Sequence, residues 1–268
     1  MRLLREILLL LLLFVTVGAG VYALWSWHAS TTREGKEPPP DASVLHKTEG
    51  KLRTYIRQEI GLESVHNASV TAGLQQIETR LAKAIGPTEY PVEIYVVVSS
   101  TINAVCLPGS IIVVYSGLLQ KLQTPEELAA IVAHEAAHAL HGDAMQALER
   151  EIGLAALFTL AGGRGDALVG RLLQRIVSAG FSRQQEQAAD AEAARILDQS
   201  QIDPAALAEA LRRLRQVTEE EPEALQYIST HPGIDERIKG AEAASAAWKG
   251  KPRPITIDWK RFLAAVNK

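Results

Sequence analysis

Residues 124–142 read TPEELAAIVAHEAAHALHG, and this stretch predicts a capped helix that carries chemistry. Thr124 is placed as N-cap, Pro125 takes the first helical position, where a missing N–H costs nothing, and Glu127 completes a capping box. Gly142 is placed to end the helix. His134 and His138 are therefore helical on grounds independent of their chemistry. Four residues apart, they project from one face with Cβ atoms about 6 Å apart, close enough for two imidazoles to bind one metal ion. Glu135 is turned by about 100° from His134, so it flanks such a metal and can take a proton from water there. The competing reading is an alanine-rich helix with incidental histidines.

Two histidines do not complete a catalytic zinc site, which usually has three protein ligands and one open position. A single cysteine, Cys106, rules out a cysteine-rich cluster, so the remaining ligand must be a histidine or a carboxylate. His141 shares the helix and could reach the same face, but Ala144 stands where a metzincin needs its third histidine. The other option is a carboxylate from a second helix. The stretch FSRQQEQAADAEAARIL, residues 181–197, offers one: Ser182 and Gln185 form a capping box, and Glu186 and Asp190 lie one turn apart on one face. Glu186 would complete a His, His, Glu set, and Asp190 could accept a hydrogen bond from a ligand imidazole and fix its tautomer. Taken alone, these acids read equally well as a solvated helix face.

Composition sets the frame. With 47% hydrophobic and 22% charged residues over 268 positions, the chain can bury a core. A net charge of -3 without a basic run argues against nucleic acid as a partner. At the N-terminus, Arg2 and Arg5 precede an uncharged apolar run from Ile7 to Trp27, closed by Tyr22, Trp25 and Trp27. That is the length of a membrane span with an interfacial aromatic end, and the arginines favour a cytoplasmic N-terminus. A cleavable signal with small residues at 18–20 competes with the uncleaved anchor; both export the rest of the chain. Residues 28–42, with Pro38, Pro39 and Pro40, read as a Pro-rich linker, leaving 43–268 as the folded domain. The stretch LAALFTLAGG, from Leu154, is too short to span a membrane.

Apolar spacing predicts two helices before Gly86 and Pro87. PVEIYVVVSS (91–100) and SIIVVYSG (110–117) read as strands joined by a bent connection, TINAVCLPG, and ITIDW (255–259) is a possible further strand. The Asn67 to Ser69 N-x-S triplet reads as chance rather than a glycosylation site. Beyond Gly117 almost everything is helical, so the fold class is α+β, predominantly helical, with a small β-sheet beside the active-site helix.

HEAAH, SRQQEQAAD, NAVCLPGSIIVVYSGLL and STHPGIDERI occur in the order seen in a zinc metallopeptidase family. The chain resembles that family, the HtpX-like and CAAX-prenyl-protease-type gluzincins, over roughly residues 60–245, and its architecture is closest to the periplasmic, single-anchor members. The resemblance implies a zincin-like domain, one Zn2+ held by His134, His138 and Glu186, and Glu135 as base. It places the NAxxLPG segment at the cleft, which points to Asn103, Ala104, Leu107, Pro108 and Gly109 as substrate-binding, and it turns His231 toward the metal. Two departures stand out: Ser110 occupies a position where a second glycine is frequent, and the multiple spans of the HtpX and CAAX branches are absent.

The expected reaction is hydrolysis of peptide bonds in unfolded or misassembled cell-envelope proteins, at the inner membrane with the catalytic domain facing the periplasm. Extended polypeptide would pair with the edge strand near AVCLPGSIIV through main-chain hydrogen bonds. His231, ahead of Pro232 and thus outside a helix, would donate to the developing oxyanion or else serve only as a cap. Cys106 reads as a small core residue, with an inhibitory thiolate as the competing role. The alternative function is a zinc-containing chaperone or adaptor, against which Glu135 argues, since it is not needed to bind zinc. No tetratricopeptide-like repeat array follows the catalytic region.

Overall fold

The computed structural model describes residues 42–150, 180–220 and 225–266. The stretch expected to be an N-terminal anchor, all but the end of the expected linker, and the LAALFTLAGG stretch lie outside them. No helix among the described residues is long and apolar enough to cross a membrane.

The chain opens with two helices, α1 (Ala42–Glu63) and α2 (Ala68–Ile85). Asn67, the asparagine of the N-x-S triplet, is the N-cap of α2 and accepts a hydrogen bond from the Ser69 N–H, and Gly86 ends that helix at φ 82°. Three strands follow: β1 (Glu93–Val97), β2 (Ala104–Leu107) and β3 (Ile111–Tyr115). β1 and β3 are the strands that the β-branched runs predict. β2 lies inside the stretch read as a bent connection; its four residues between Asn103 and Pro108 are too few to announce themselves. The sheet order is β1-β3-β2, with β1 parallel and β2 antiparallel to β3, so β2 is an edge strand.

Alternation along the strands divides the side chains between two cores. Ile94, Val96, Ala104, Ile112 and Val114 join the main core with α2 and the later helices. Val105, Leu107, Ile111 and Val113 meet Leu52 and Ile56 of α1 on the other face. Helix α1 also grips the β2–β3 turn: Arg53 donates to the Gly109 carbonyl, and Glu49 accepts from the Gly109 N–H at 2.9 Å. Gly109 has φ 79° and a Cβ there would lie 2.6 Å from that of Arg53, so only glycine fits. Ser110 has φ 61°, which explains why glycine suits that position: a residue with a Cβ is held in the left-handed region.

After the one-turn helix α3 (Ser116–Leu119) comes α4 (Pro125–Leu140), the HEAAH helix. Thr124 caps it by accepting from the Glu127 N–H, and it ends at His141 with Gly142 at φ 69°. The reciprocal arm of the expected capping box differs. Glu127 accepts from the Gln123 N–H, one residue earlier, at 2.8 Å, and both its oxygens also lie 3.1 Å from Arg213 Nε. Helical residues 143–150 follow directly. The remaining described helices are α5 (Arg183–Gln199), α6 (Ala205–Glu220), α7 (Leu225–Thr230), α8 (Ile234–Ala247) and α9 (Trp259–Val266). Ser182 and Gln185 form the predicted capping box at the start of α5. The ITIDW segment joins no sheet: residues 255–258 carry no regular structure and Trp259 opens α9, with the Ile255 N–H donating to Glu126 and the Trp259 indole to the Leu122 carbonyl.

Candidate metal centre

The middle of α4 is buried on every side: Val132, Ala133, His134, Glu135, Ala136, Ala137 and His138 are all 0% exposed. Small alanines let α5 approach closely, and α5 brings Glu186 (1% exposed) against the two histidines. His134 Nε2 lies 3.1 Å from His138 Nε2 and 3.5 Å from Glu186 Oε2, and His138 Nε2 lies 3.4 Å from Glu186 Oε1. His231, in the bend between α7 and α8, adds a fourth donor. Its Nδ1 is 3.1 Å from Glu186 Oε1 and 3.4 Å from His134 Nε2. One atom from each of these four residues falls within 4.8 Å of the others.

The tautomers explain why such a group needs a cation. His134 Nδ1 lies 2.9 Å from Asp190 Oδ1, and His138 Nδ1 lies 2.7 Å from Asp143 Oδ2. With Nδ1 committed to a carboxylate, each ring turns its Nε2 toward the other ring and toward the Glu186 carboxylate. Three electron-pair donors so close together repel unless a proton or a cation joins them. Zinc fits: tetrahedral Zn–N and Zn–O bonds of about 2.0–2.1 Å put neighbouring donors about 3.3 Å apart, close to the spacings here.

Charge is balanced by a residue that motif reading leaves unassigned. Arg237 of α8, the arginine of STHPGIDERI, is 3% exposed. It forms a two-pronged ion pair with Asp190 at 2.8 and 2.9 Å and reaches Glu186 Oε2 at 2.7 Å. Despite burial, which works the other way, neighbouring cations and hydrogen bonds hold both carboxylates low: Glu186 through His231 and His138, Asp190 at about 2 through Arg237 and His134. Asp143, at the start of the next helical stretch, and Phe181, half-buried with its ring stacked 3.9 Å from that of His138, are also absent from the motif reading. Tyr227 stacks on His231 with ring centroids 4.7 Å apart.

Glu135 stands apart from the donor set, as its position in the helix requires. Neither of its carboxylate oxygens has a hydrogen-bond partner among the described residues. His231 Nε2 lies 3.7 Å from its Oε1. Burial raises its carboxyl above the ordinary range, toward the proton affinity that a general base at neutral pH needs. Of the residues expected to bind substrate, Ala104 and Leu107 lie on the β2 edge strand, Pro108 and Gly109 in its turn, and the buried Asn103 amide has no partner on either atom among the described residues. His141 is exposed at the C-cap of α4 and outside the donor group. Cys106 is 3% exposed and also outside it, and burial pushes its thiol up, which disfavours an inhibitory thiolate.

Comparison with known proteins adds the family. The peptidase family M48 profile matches residues 68–245. The mitochondrial metalloendopeptidase OMA1 of Schizosaccharomyces pombe is 28% identical, over 64% of this chain and 52% of that protein. The beta-barrel assembly-enhancing protease of Yersinia pestis is 26% identical, over 80% of this chain and 46% of that protein. Metalloprotease LoiP of Escherichia coli is 29% identical, over 60% of this chain and 66% of that protein. The chain thus spans about half to two thirds of the length of these relatives.

Proposed function

The chain belongs to peptidase family M48, the zinc metallopeptidases, and from that premise we propose that it is an endopeptidase cutting unfolded or misassembled polypeptides of a bacterial cell envelope. The observation that carries the reading is the pairing of three converging donor residues, His134, His138 and Glu186, with a buried base, Glu135, whose carboxylate has no hydrogen-bond partner among the described residues. A structural zinc site or an adaptor needs the first and has no use for the second.

His134, His138 and Glu186 would hold the metal, with His231 Nδ1 at the fourth side of the group. When bound, zinc supplies Lewis acidity, polarising a scissile carbonyl and acidifying water. Glu135 accepts the proton of the attacking water and delivers it to the departing amine. His231 donates a hydrogen bond to the oxygen on which negative charge develops. Asp190 and Asp143 hold the ligand imidazoles in the tautomer that leaves Nε2 free. Substrate adds as a strand to the edge of β2, where main-chain hydrogen bonds bind without regard to sequence, and Asn103 to Gly109 line that edge.

The envelope assignment draws on the apolar N-terminal run, read as an anchor over residues 1–27 with a linker to 42, and on relatives whose names place them in β-barrel assembly. The catalytic domain, 43–268, then faces the periplasm. Purified protein from about Asp41 onward should bind zinc and cleave casein, while Glu135→Gln keeps the zinc and loses cleavage by about 10²–10⁴, the contribution of a positioned base. Zinc lost from that variant would remove Glu135 from the role of base. Wild-type zinc content without cleavage of casein or of unfolded envelope proteins would favour a holding function instead.

A further inference from the structure

We propose that Gln185, beyond capping its own helix, is a positioning residue for the metal centre: its amide holds the Asp143 carboxylate that orients His138. The capping box uses only half of this side chain. Gln185 Oε1 accepts from the Ser182 N–H at 3.0 Å and from the Ser182 hydroxyl at 3.0 Å. A backbone N–H can only donate, so the amide orientation is fixed by the cap, and Nε2 must face the other way. There it donates to Asp143 Oδ1 at 2.8 Å, and the second oxygen of the same carboxylate accepts from His138 Nδ1 at 2.7 Å.

Glutamate would cap the helix as well as glutamine does, since the cap needs only an acceptor oxygen. The NH2 group is what glutamate lacks, and here it is spent on Asp143. Without that donor the carboxylate would keep one oxygen unsatisfied and could rotate away from the ring it orients. The first turn of α5 therefore reaches His138 twice: directly, through Glu186 Oε1 at 3.4 Å, and one residue earlier through Gln185 and Asp143. Phe181, just before the cap, stacks on the same imidazole, and its N–H is fixed to the Thr230 carbonyl at 3.0 Å, next to His231. A single helix start thus aligns two ligands contributed by segments about 50 residues apart in sequence.

A thermodynamic cycle on purified protein tests this, with zinc affinity read by competition against a chelator and the melting temperature of the metal-free form read alongside. Gln185→Glu keeps the cap and sets a carboxylate against Asp143; Asp143→Asn sets two NH2 groups against each other. Each should weaken zinc binding about tenfold, at the lower end for residues that orient ligands. Combined, they restore the link with its direction reversed, because the introduced asparagine amide can then donate to the introduced glutamate while its oxygen still accepts from His138. The double variant should accordingly bind zinc within about threefold of wild type, a non-additivity expected only of directly coupled residues. Ser182→Ala, which removes the hydroxyl cap, should lower the melting temperature and leave zinc affinity nearly unchanged. Losses that simply multiply in the double variant, or a Gln185→Glu variant that binds zinc as wild type does, would overturn the inference. It rests on His138 being a ligand, which His138→Ala checks separately: zinc retained there would sink the ligand set rather than this link.

Discussion

His134 and His138 stand one turn apart on the same helix, equally buried, and each meets a carboxylate at Nδ1, but only His134 also meets a guanidinium. On the His134 side, burial and then the Arg237 guanidinium hold the imidazole down to about 3. On the His138 side burial works in the same direction, yet hydrogen bonds to Asp143 and Glu186 carry that imidazole up to about 9. The helical motif supplies two identical side chains, and residues from elsewhere in the chain make one reluctant and the other eager to hold a proton. The difference also sorts the supporting residues: the His134 side is built from α5 and α8, the His138 side from the residues around the end of α4 and the start of α5.

Removing Glu186, which touches both rings, should break both sides at once. Glu186→Ala is expected to reduce zinc content to background in metal analysis while also leaving Arg237 with one carboxylate fewer. Zinc retained in Glu186→Ala and lost in His141→Ala would move the third ligand to His141. His231→Ala comes next: kcat should fall about 10²–10³, the worth of an oxyanion donor, with KM and zinc content little changed. Zinc lost from that variant would make His231 a fourth ligand, joined to the His134 side.

The sharpest contrast is Asp190→Ala against Asp143→Ala. Both should weaken zinc binding about 10–100-fold by freeing a ligand ring. Only Asp190→Ala also strips a two-pronged partner from a buried arginine, so in denaturant titration it should cost about 3 kcal/mol, against about 1–2 kcal/mol for Asp143→Ala, which removes one bond each from His138 and Gln185. Equal destabilisation by the two would erase the distinction. Thr124→Ala gives the baseline, since it weakens the helix that carries both rings without favouring either. It should cost about 1 kcal/mol and leave zinc affinity as it is.

What is local in this molecule is legible in its sequence. Thr124, Pro125 and Gly142 bound the HEAAH helix, and Ser182 with Gln185 starts the one that carries Glu186 and Asp190, because caps and i, i+4 spacing are contained in a few consecutive residues. Arg237 was hidden for the opposite reason. In IDERIKG it reads as one more charge on a helix surface, and only packing against a residue 103 positions earlier makes it the counter-ion of the site. Asp143 likewise looks like a residue that starts a helix, and nothing in ALHGDAM says that its carboxylate turns back to His138. β2 escaped because four residues give periodicity no room to appear, and ITIDW has strand composition without a neighbouring strand to satisfy it.

Cys106 has a practical consequence. It is the only cysteine in the chain, and it lies buried in β2, the strand proposed to receive substrate. A thiol so enclosed, and so far from ionised, reacts with a soluble alkylating reagent only when that strand is exposed. The protein thus carries its own single-site clock: without any engineered label, the alkylation rate measures how often the edge strand opens, and comparing that rate with and without an unfolded polypeptide shows whether cargo holds the strand or frees it.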